Sequence, residues 1–262
     1  MPVKILFIAD IVGKPGRQAV SRELHRLVDR YRIDCVIANG ENAAGGFGIT
    51  EETARELYAC GVNLLTSGNH IWDKKDQLDY LDRDEKVIRP ANYPPGAPGR
   101  GSALIRTPSG VPVAVLNLEG RVFMNALDCP FRVARREIDR LREITPIVLV
   151  DFHAEATSEK LALGWYLDGS ASAVLGTHTH VQTADERIFP GGTAYITDAG
   201  MTGSFESVIG IRKELAIEKF LSQLPVRFEV AKKDVRLNGV VIEIDENDGK
   251  ALAIERLSVP CG

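Results

Sequence analysis

Cysteine and histidine are both scarce in this sequence, at four and five residues. Cys35, Cys60, Cys129 and Cys261 lie far apart and form no C-x-x-C, so a disulfide framework is not expected and reduced thiols in a cytosol fit better. No stretch approaches the ~18 apolar residues of a membrane span. The first apolar run, Ile5-Leu6-Phe7-Ile8-Ala9, is cut short by Asp10 and lacks the form of a signal peptide. The expectation is a cytoplasmic chain with no membrane partner. An excess of positive charge is missing too: 32 Lys and Arg stand against 36 Asp and Glu, a net charge of −4. That argues against nucleic acid as a partner and leaves small phosphorylated ligands open. Internal repeats, low-complexity segments and linkers are absent, so residues 1–262 read as a single domain.

What is present is a β/α rhythm. Ile5–Ala9 reads as a buried strand, residues 17–31 carry Val20, Leu24, Leu27, Val28 and Tyr31 at helical spacing, and Cys35–Ala38 is a second apolar run. Thr50 is placed to cap a helix reaching about Cys60, with Glu51 and Glu52 in its first turn. Val62–Thr66 is the next strand. This order implies a largely parallel sheet with helices on its faces. Residues 89–101 hold four of the 13 prolines and three glycines and read as a long loop. Residues 103–107 and 111–118 read as an antiparallel hairpin. The rhythm returns with a helix near 131–143, a strand at 147–150 running into Asp151-Phe152-His153, and a helix near 158–167. Further strands follow at 173–175 and 194–196. The last strands, near 226–231, 235–244 and 251–257, read as antiparallel and polar-alternating, as in an outer sheet.

The polar clusters share one structural position. Asp10, Glu41-Asn42, Asn69-His70, His153 and His178-x-His180 each follow the end of an inferred buried strand. In open α/β sheets ligands bind at the carboxyl ends of strands, because loops converge there. A lone histidine after a strand is ordinarily a hydrogen-bonded structural residue, and Asn-Gly or Gly-Asn is ordinarily turn chemistry. Five clusters at equivalent positions, using four of five histidines, do not fit those bland readings. Imidazoles mixed with carboxylate and amide oxygens, and no thiolate, suit manganese, iron or zinc. Seven candidate side chains are too many for one tetrahedral site with an open position. They suit two metals sharing a bridging carboxylate, ~3.5–4 Å apart in such sites. Gly176 is expected to end its strand, leaving His178 and His180 on a loop, free to face different ions.

"GNH" at 68–70, an Asp closing the first strand, a lone His after a later strand and "GTHTH" at 176–180 resemble the calcineurin-like metallophosphoesterases. Two positions depart from that pattern. The usual D-x-H is Asp10-Ile11-Val12 here, and the usual G-D-x-x-D is replaced by Gly40-Glu41-Asn42. With "GENAAGGFGIT" at 40–50 and "TDAGMTG" at 197–203, these departures resemble the YmdB-type branch of bacterial phosphodiesterases.

The resemblance implies an α/β fold, a four-layer αββα sandwich of two mixed β-sheets flanked by helices. It implies Glu41 as the bridging ligand; Asp10, Asn42 and His180 on one ion; and Asn69, His153 and His178 on the other. Asn42 would fill in for the missing histidine, and the longer Glu41 bridge could alter the metal spacing. Iron or manganese is implied ahead of zinc. His70 would be the general acid that protonates the leaving alkoxide, with an orienting role behind the metals as its alternative. The implied reaction is hydrolysis of small cyclic nucleotides, 2′,3′-cyclic monophosphates to 3′-nucleotides, by water activated between the ions. A nuclease, a phosphomonoesterase or a metal-binding regulatory scaffold with little turnover are the alternatives, and a homo-oligomer is compatible with all of them.

Other signals count for less. The loop 43–48 lacks the lysine of a P-loop and reads as a lip beside the metals rather than a nucleotide cradle. Phe47 or Tyr93 as base-stacking groups, and residues 89–93 as an entrance, rest on loop character alone. Asp198 reads as a turn former or as a residue behind the site.

Overall fold

Strands that alternate inward and outward, joined by amphipathic helices, assemble here into two face-to-face sheets. The computed structural model describes residues 2–261. In chain order the elements are β1 (Pro2–Ile8), β2 (Asp10–Ile11), α1 (Gly13–Tyr31), β3 (Cys35–Asn39), α2 (Glu51–Ala59), β4 (Leu64–Thr66) and α3 (Leu78–Arg83). The hairpin β5 (Ser102–Arg106) and β6 (Pro112–Glu119) follows, then α4 (Pro130–Arg142), β7 (Val148–His153), α5 (Thr157–Tyr166) and β8 (Ala173–Thr177). The chain closes with β9 (Arg187–Ile188), β10 (Ala194–Ile196), β11 (Met201–Ser204), α6 (Lys213–Ser222), β12 (Val235–Asp245) and β13 (Ala251–Pro260).

One sheet has the order β2-β11-β12-β1-β3-β4, with β13 also on β12; the other runs β5-β6-β7-β8-β10-β9. β1, β3 and β4 are mutually parallel, as are β6, β7, β8 and β10, and β2 pairs parallel to β11; β5, β9, β12 and β13 pair antiparallel to their neighbours. The period-two alternation of β1 sets the layers. Leu6 and Ile8 face outward onto Leu24 and Leu27 of α1 and Leu57 of α2. Ile5 and Phe7 face inward, in the apolar seam with Val113, Val115, Leu149 and Leu175 of the second sheet. Beyond that sheet, Leu116, Val148, Val150 and Phe152 bury Val133, Ile138 and Leu141 of α4 and Leu163 of α5. The result is the expected αββα sandwich.

Three local expectations need correcting. Residues 226–231 form no strand and contribute only a single bridge, Val230 to Ile211. β12 is not in an outer sheet: it pairs with β1 on one edge and β13 on the other, and Leu237–Ile242 are buried. With both its edges taken, no edge of β12 is left for 226–231. Gly176 does not end β8, which continues to Thr177, with Gly176 paired to Phe152. A Cβ at 176 would overlap the Thr197 carbonyl, so glycine lets the neighbouring backbone close in. The helices α3 and α6 were not expected. No helix among the described residues is long and apolar enough to cross a membrane.

Candidate metal centre

The carboxyl ends of the parallel strands in both sheets meet along one edge, and a buried carboxylate ties them together. Asp151 on β7 accepts from Asn39 Nδ2 at the end of β3 (3.0 Å), from Thr66 Oγ1 on β4 (2.5 Å) and from Thr177 Oγ1 on β8 (2.7 Å). Burial pushes the Asp151 carboxyl up to about 6 against these three donors. Because the Thr177 hydroxyl donates to Asp151, it accepts from His153 Nδ1–H at 3.0 Å. That fixes the ring and turns Nε2 into the site. Asn39 Oδ1 in turn accepts the Glu41 N–H (3.1 Å), setting the turn that delivers Glu41.

Four ligand-type atoms converge around His153. Its Nε2 lies 3.0 Å from Asn69 Oδ1, 3.0 Å from His178 Nδ1 and 3.2 Å from Glu41 Oε1. One ring nitrogen can serve one such partner well, whereas a cation would give all four atoms a common partner. A second group adjoins it. Asn42 Nδ2 sits 3.0 Å from Glu41 Oε1 and 3.2 Å from His180 Nε2. Asp10 Oδ1, 3.8 Å from that same Nε2, is buried without a hydrogen-bond partner. His180 Nδ1–H donates to the Ile209 carbonyl (2.9 Å), which leaves Nε2 as the lone-pair nitrogen. Exchanging O and N of the Asn42 amide, a choice the side-chain shape leaves open, would present its oxygen to a cation. Ligand atoms of Glu41, His153 and His178, and of Asp10, Glu41 and His180, each fall within 4.8 Å of one another, so Glu41 is common to both groups. These residues fit divalent metal.

The electrostatics agree. Asp10, Glu41, Glu119, Asp151 and Asp198 are all essentially buried. Burial drives the Asp10 carboxyl well above its usual range, and Glu41, Asp198 and Asp151 add to the rise. Glu41 feels the same burial, but His153 and His70 outweigh it and lower its pKa. Burial depresses His153, yet Glu41, Asp10 and Asp151 raise it to about 9. Burial and then the neighbouring His153 press His178 down to about 3. Several buried carboxylates thus crowd one another with only imidazoles between them, and the cost of ionising them there is what a dication would offset.

The loop after β8 is held from behind. His178 (φ 99°) and His180 (φ 64°) both adopt left-handed backbone, rare outside glycine. Asp198 Oδ2 accepts from Thr179 N (3.0 Å), Thr179 Oγ1 (2.8 Å) and the buried Lys160 Nζ (2.7 Å). Lys160 also donates to the Thr177 carbonyl at 2.7 Å. Asp198 thus stands behind the site, one of the two readings its sequence position allowed. Lys160 was missed, since a lone lysine in an amphipathic helix carries no signal. Gly68 has a steric role: a Cβ there would fall within the His153 ring. Gly68→Ala is expected to displace that ring and weaken manganese binding by about 10–100-fold, read by metal titration.

The remaining candidates sort themselves by contact. His70 Nδ1 lies 2.8 Å from Asp73 Oδ2, its N–H donates to Glu41 Oε2 (3.2 Å), and its ring centroid is 5.0 Å from that of Phe47. Tyr93 packs edge-on to Trp72 and donates to Glu119 Oε2 (2.8 Å), so neither Phe47 nor Tyr93 is a free stacking surface. Within 89–93, Asn92 is buried and its amide bonds the Glu119 carbonyl and the Asp128 carbonyl. Glu119 itself was overlooked, although it closes β6 as His153 closes β7 and pairs with it in register. His25 is exposed on α1, outside the centre.

A back-to-back sandwich with its polar cluster on the shared edge defines a metallophosphoesterase-type fold. The chain belongs to the YmdB-like protein family, whose model matches residues 6–257. It is 51% identical over 257 residues to the 2′,3′-cyclic-nucleotide 2′-phosphodiesterase of Bacillus subtilis (strain 168), covering 98% of this chain and 97% of that protein. It is 37% identical to a putative phosphatase/phosphodiesterase of Mycoplasma pneumoniae, over 98% of this chain and 93% of the relative. Among solved structures, a hypothetical protein from Thermus thermophilus superposes with a TM-score of 0.92 at 44% identity, covering 98% of this chain and 99% of the other. A novel phosphatase from Mycoplasma pneumoniae gives 0.93 at 36%, covering 99% and 94%.

Proposed function

We propose that this chain is a dinuclear metal-dependent phosphodiesterase that opens 2′,3′-cyclic nucleoside monophosphates to 3′-nucleotides. The observation that carries the reading is the meeting of two ligand groups on Glu41, in a chain of the YmdB-like family. The substrate follows the Bacillus subtilis relative named for that reaction. Asp10, Asn42 and His180 would hold one ion and Asn69, His153 and His178 the other, with Glu41 common to both groups. Iron, manganese and zinc all suit this nitrogen-and-oxygen set, and the family resemblance puts iron or manganese first. When bound, such cations supply an acidified water near neutral pH and offset charge on the phosphoryl oxygens.

The chain's own residues do the rest. The buried carboxylates Asp10 and Glu41 neutralise the ions, and the Asp151–Thr177–His153 relay holds the ligand ring in place. Asp73 accepts from His70 Nδ1–H, so Nε2 is the nitrogen left to face a leaving group. As water attacks phosphorus and the P–O2′ bond breaks, His70 acts as an imidazolium: Asp73 keeps its Nδ1–H, its Nε2–H passes to O2′, and the proton given up by the attacking water restores the ring. The product is the 3′-monophosphate.

The test is metal analysis of the purified protein beside a substrate panel of 2′,3′-cyclic AMP, 3′-AMP and a short RNA. The expected result is two ions per chain and conversion of the cyclic nucleotide to 3′-AMP. One ion or fewer under metal-replete conditions, or turnover of 3′-AMP or RNA alone, would overturn the proposal.

A further inference from the structure

We propose that Phe123 is the stacking platform of a nucleobase subsite beside the metal centre, an inference that rests on the phosphodiesterase reading. The segment after β6 runs along the mouth of the site. A cavity of about 390 Å³ lies there, lined by Asn69, Glu119, Phe123, Met124, Asn125 and His178. Two of these, Asn69 and His178, are assigned to one ion, so the cavity opens directly from the reacting centre. Its size falls within the range of small-ligand pockets, ~300–1,000 Å³.

The segment is anchored at its root and bare at its tip. Glu159 on α5 accepts the N–H groups of Arg121 (3.0 Å) and Val122 (3.1 Å), and Asn92 ties down Glu119 and Asp128. Phe123, at the tip, is 88% exposed and has a left-handed backbone, φ 62°. An aromatic ring left in water on a conformation that disfavours side chains is not explained by packing, and such outliers cluster at ligand-binding positions. Among the described residues it has no ring or cation partner, unlike Phe47 and Tyr93, which are occupied. Base–aromatic stacking uses just such a face and tolerates any base. Beside it, Asn125 gives an N–H to Glu119 Oε1 (3.3 Å) and its side chain also meets the Tyr93 hydroxyl, leaving its amide oxygen for a base edge. A cyclic phosphate seated at the metals would carry its ribose across Asn69 and His178 and its base onto Phe123.

The experiment compares kcat/KM for 2′,3′-cyclic AMP with that for ribose 2′,3′-cyclic phosphate, which has no base, in wild-type protein, Phe123→Ala and Phe123→Trp. Stacking predicts that Phe123→Ala lowers the nucleotide-to-ribose preference by about tenfold. Phe123→Trp should retain that preference. A preference unchanged in Phe123→Ala, or lost equally in Phe123→Trp, would overturn the subsite while the hydrolase reading stands. No turnover of either substrate by the wild type would overturn the hydrolase reading and the subsite with it.

Discussion

His70→Ala is expected to lower kcat for 2′,3′-cyclic AMP by about 10²–10⁴-fold, the usual weight of a positioned general acid. The loss should come without loss of metal. His70 touches Glu41 through its backbone N–H, which alanine keeps, and its ring contacts Phe47 and Asp73 rather than a ligand. The leaving group separates acid catalysis from a merely structural part. An alkoxide needs the proton, whereas 4-nitrophenolate leaves without one, so the deficit should shrink on bis(4-nitrophenyl) phosphate. Equal losses on both substrates with the metal content intact would mean that His70 only orients the site.

Lys160→Met is expected to cost about 3–5 kcal/mol of folding stability, the range for a buried ion pair that loses one partner. Lys160 and Asp198 are both about 1% exposed in their side chains, so water cannot replace the missing ammonium. Asp198 would then be left with hydroxyl and amide donors alone, from Thr179 and Gly200. The Thr177 carbonyl would lose its shorter donor and keep only the Ala154 N–H at 3.4 Å, at the place where β8 turns into the loop of His178 and His180. Urea unfolding of the wild type and the variant measures the difference. A cost under about 1 kcal/mol would place the pair among those that act like surface ion pairs.

The site was more legible in the sequence than the last third of the fold, for a physical reason. Parallel strands buried on both sides read as apolar runs, and whatever polar residue closes such a run is placed at the ligand-binding edge by topology alone. Asp10, Glu41, Asn69, His153 and His178 were visible by that logic, and the structure gathers them. Glu119 obeys the same rule, closing β6, but a strand read as half of an antiparallel hairpin carries no such expectation for the residue at its end. Lys160 and Phe123 had no such marker. One acts from inside a helix, and the other stands on a loop whose backbone no local pattern announces. The stretch 226–231 shows the opposite error: its strand-like composition has no sheet edge to join. Helix α6 escaped because Ala216 is its one buried residue, so it has hardly any core-facing stripe.

The centre draws Asp10, Glu41, Asn42 and Asn69 from one sheet and His153, His178 and His180 from the other. Besides the Asp151 relay and the hydrogen bonds of Ser67 to Asn117 and of His178 N to Asp10, what meets across that edge is this set of buried acids and half-satisfied imidazoles. A cation bound there is a cross-link between the two halves of the sandwich. Occupancy and fold stability then become one equilibrium, worth roughly 2.7 kcal/mol when free metal stands 100-fold above its dissociation constant. The YmdB-like scaffold would thus register the metal supply around it as thermal resistance, before a single substrate is turned over.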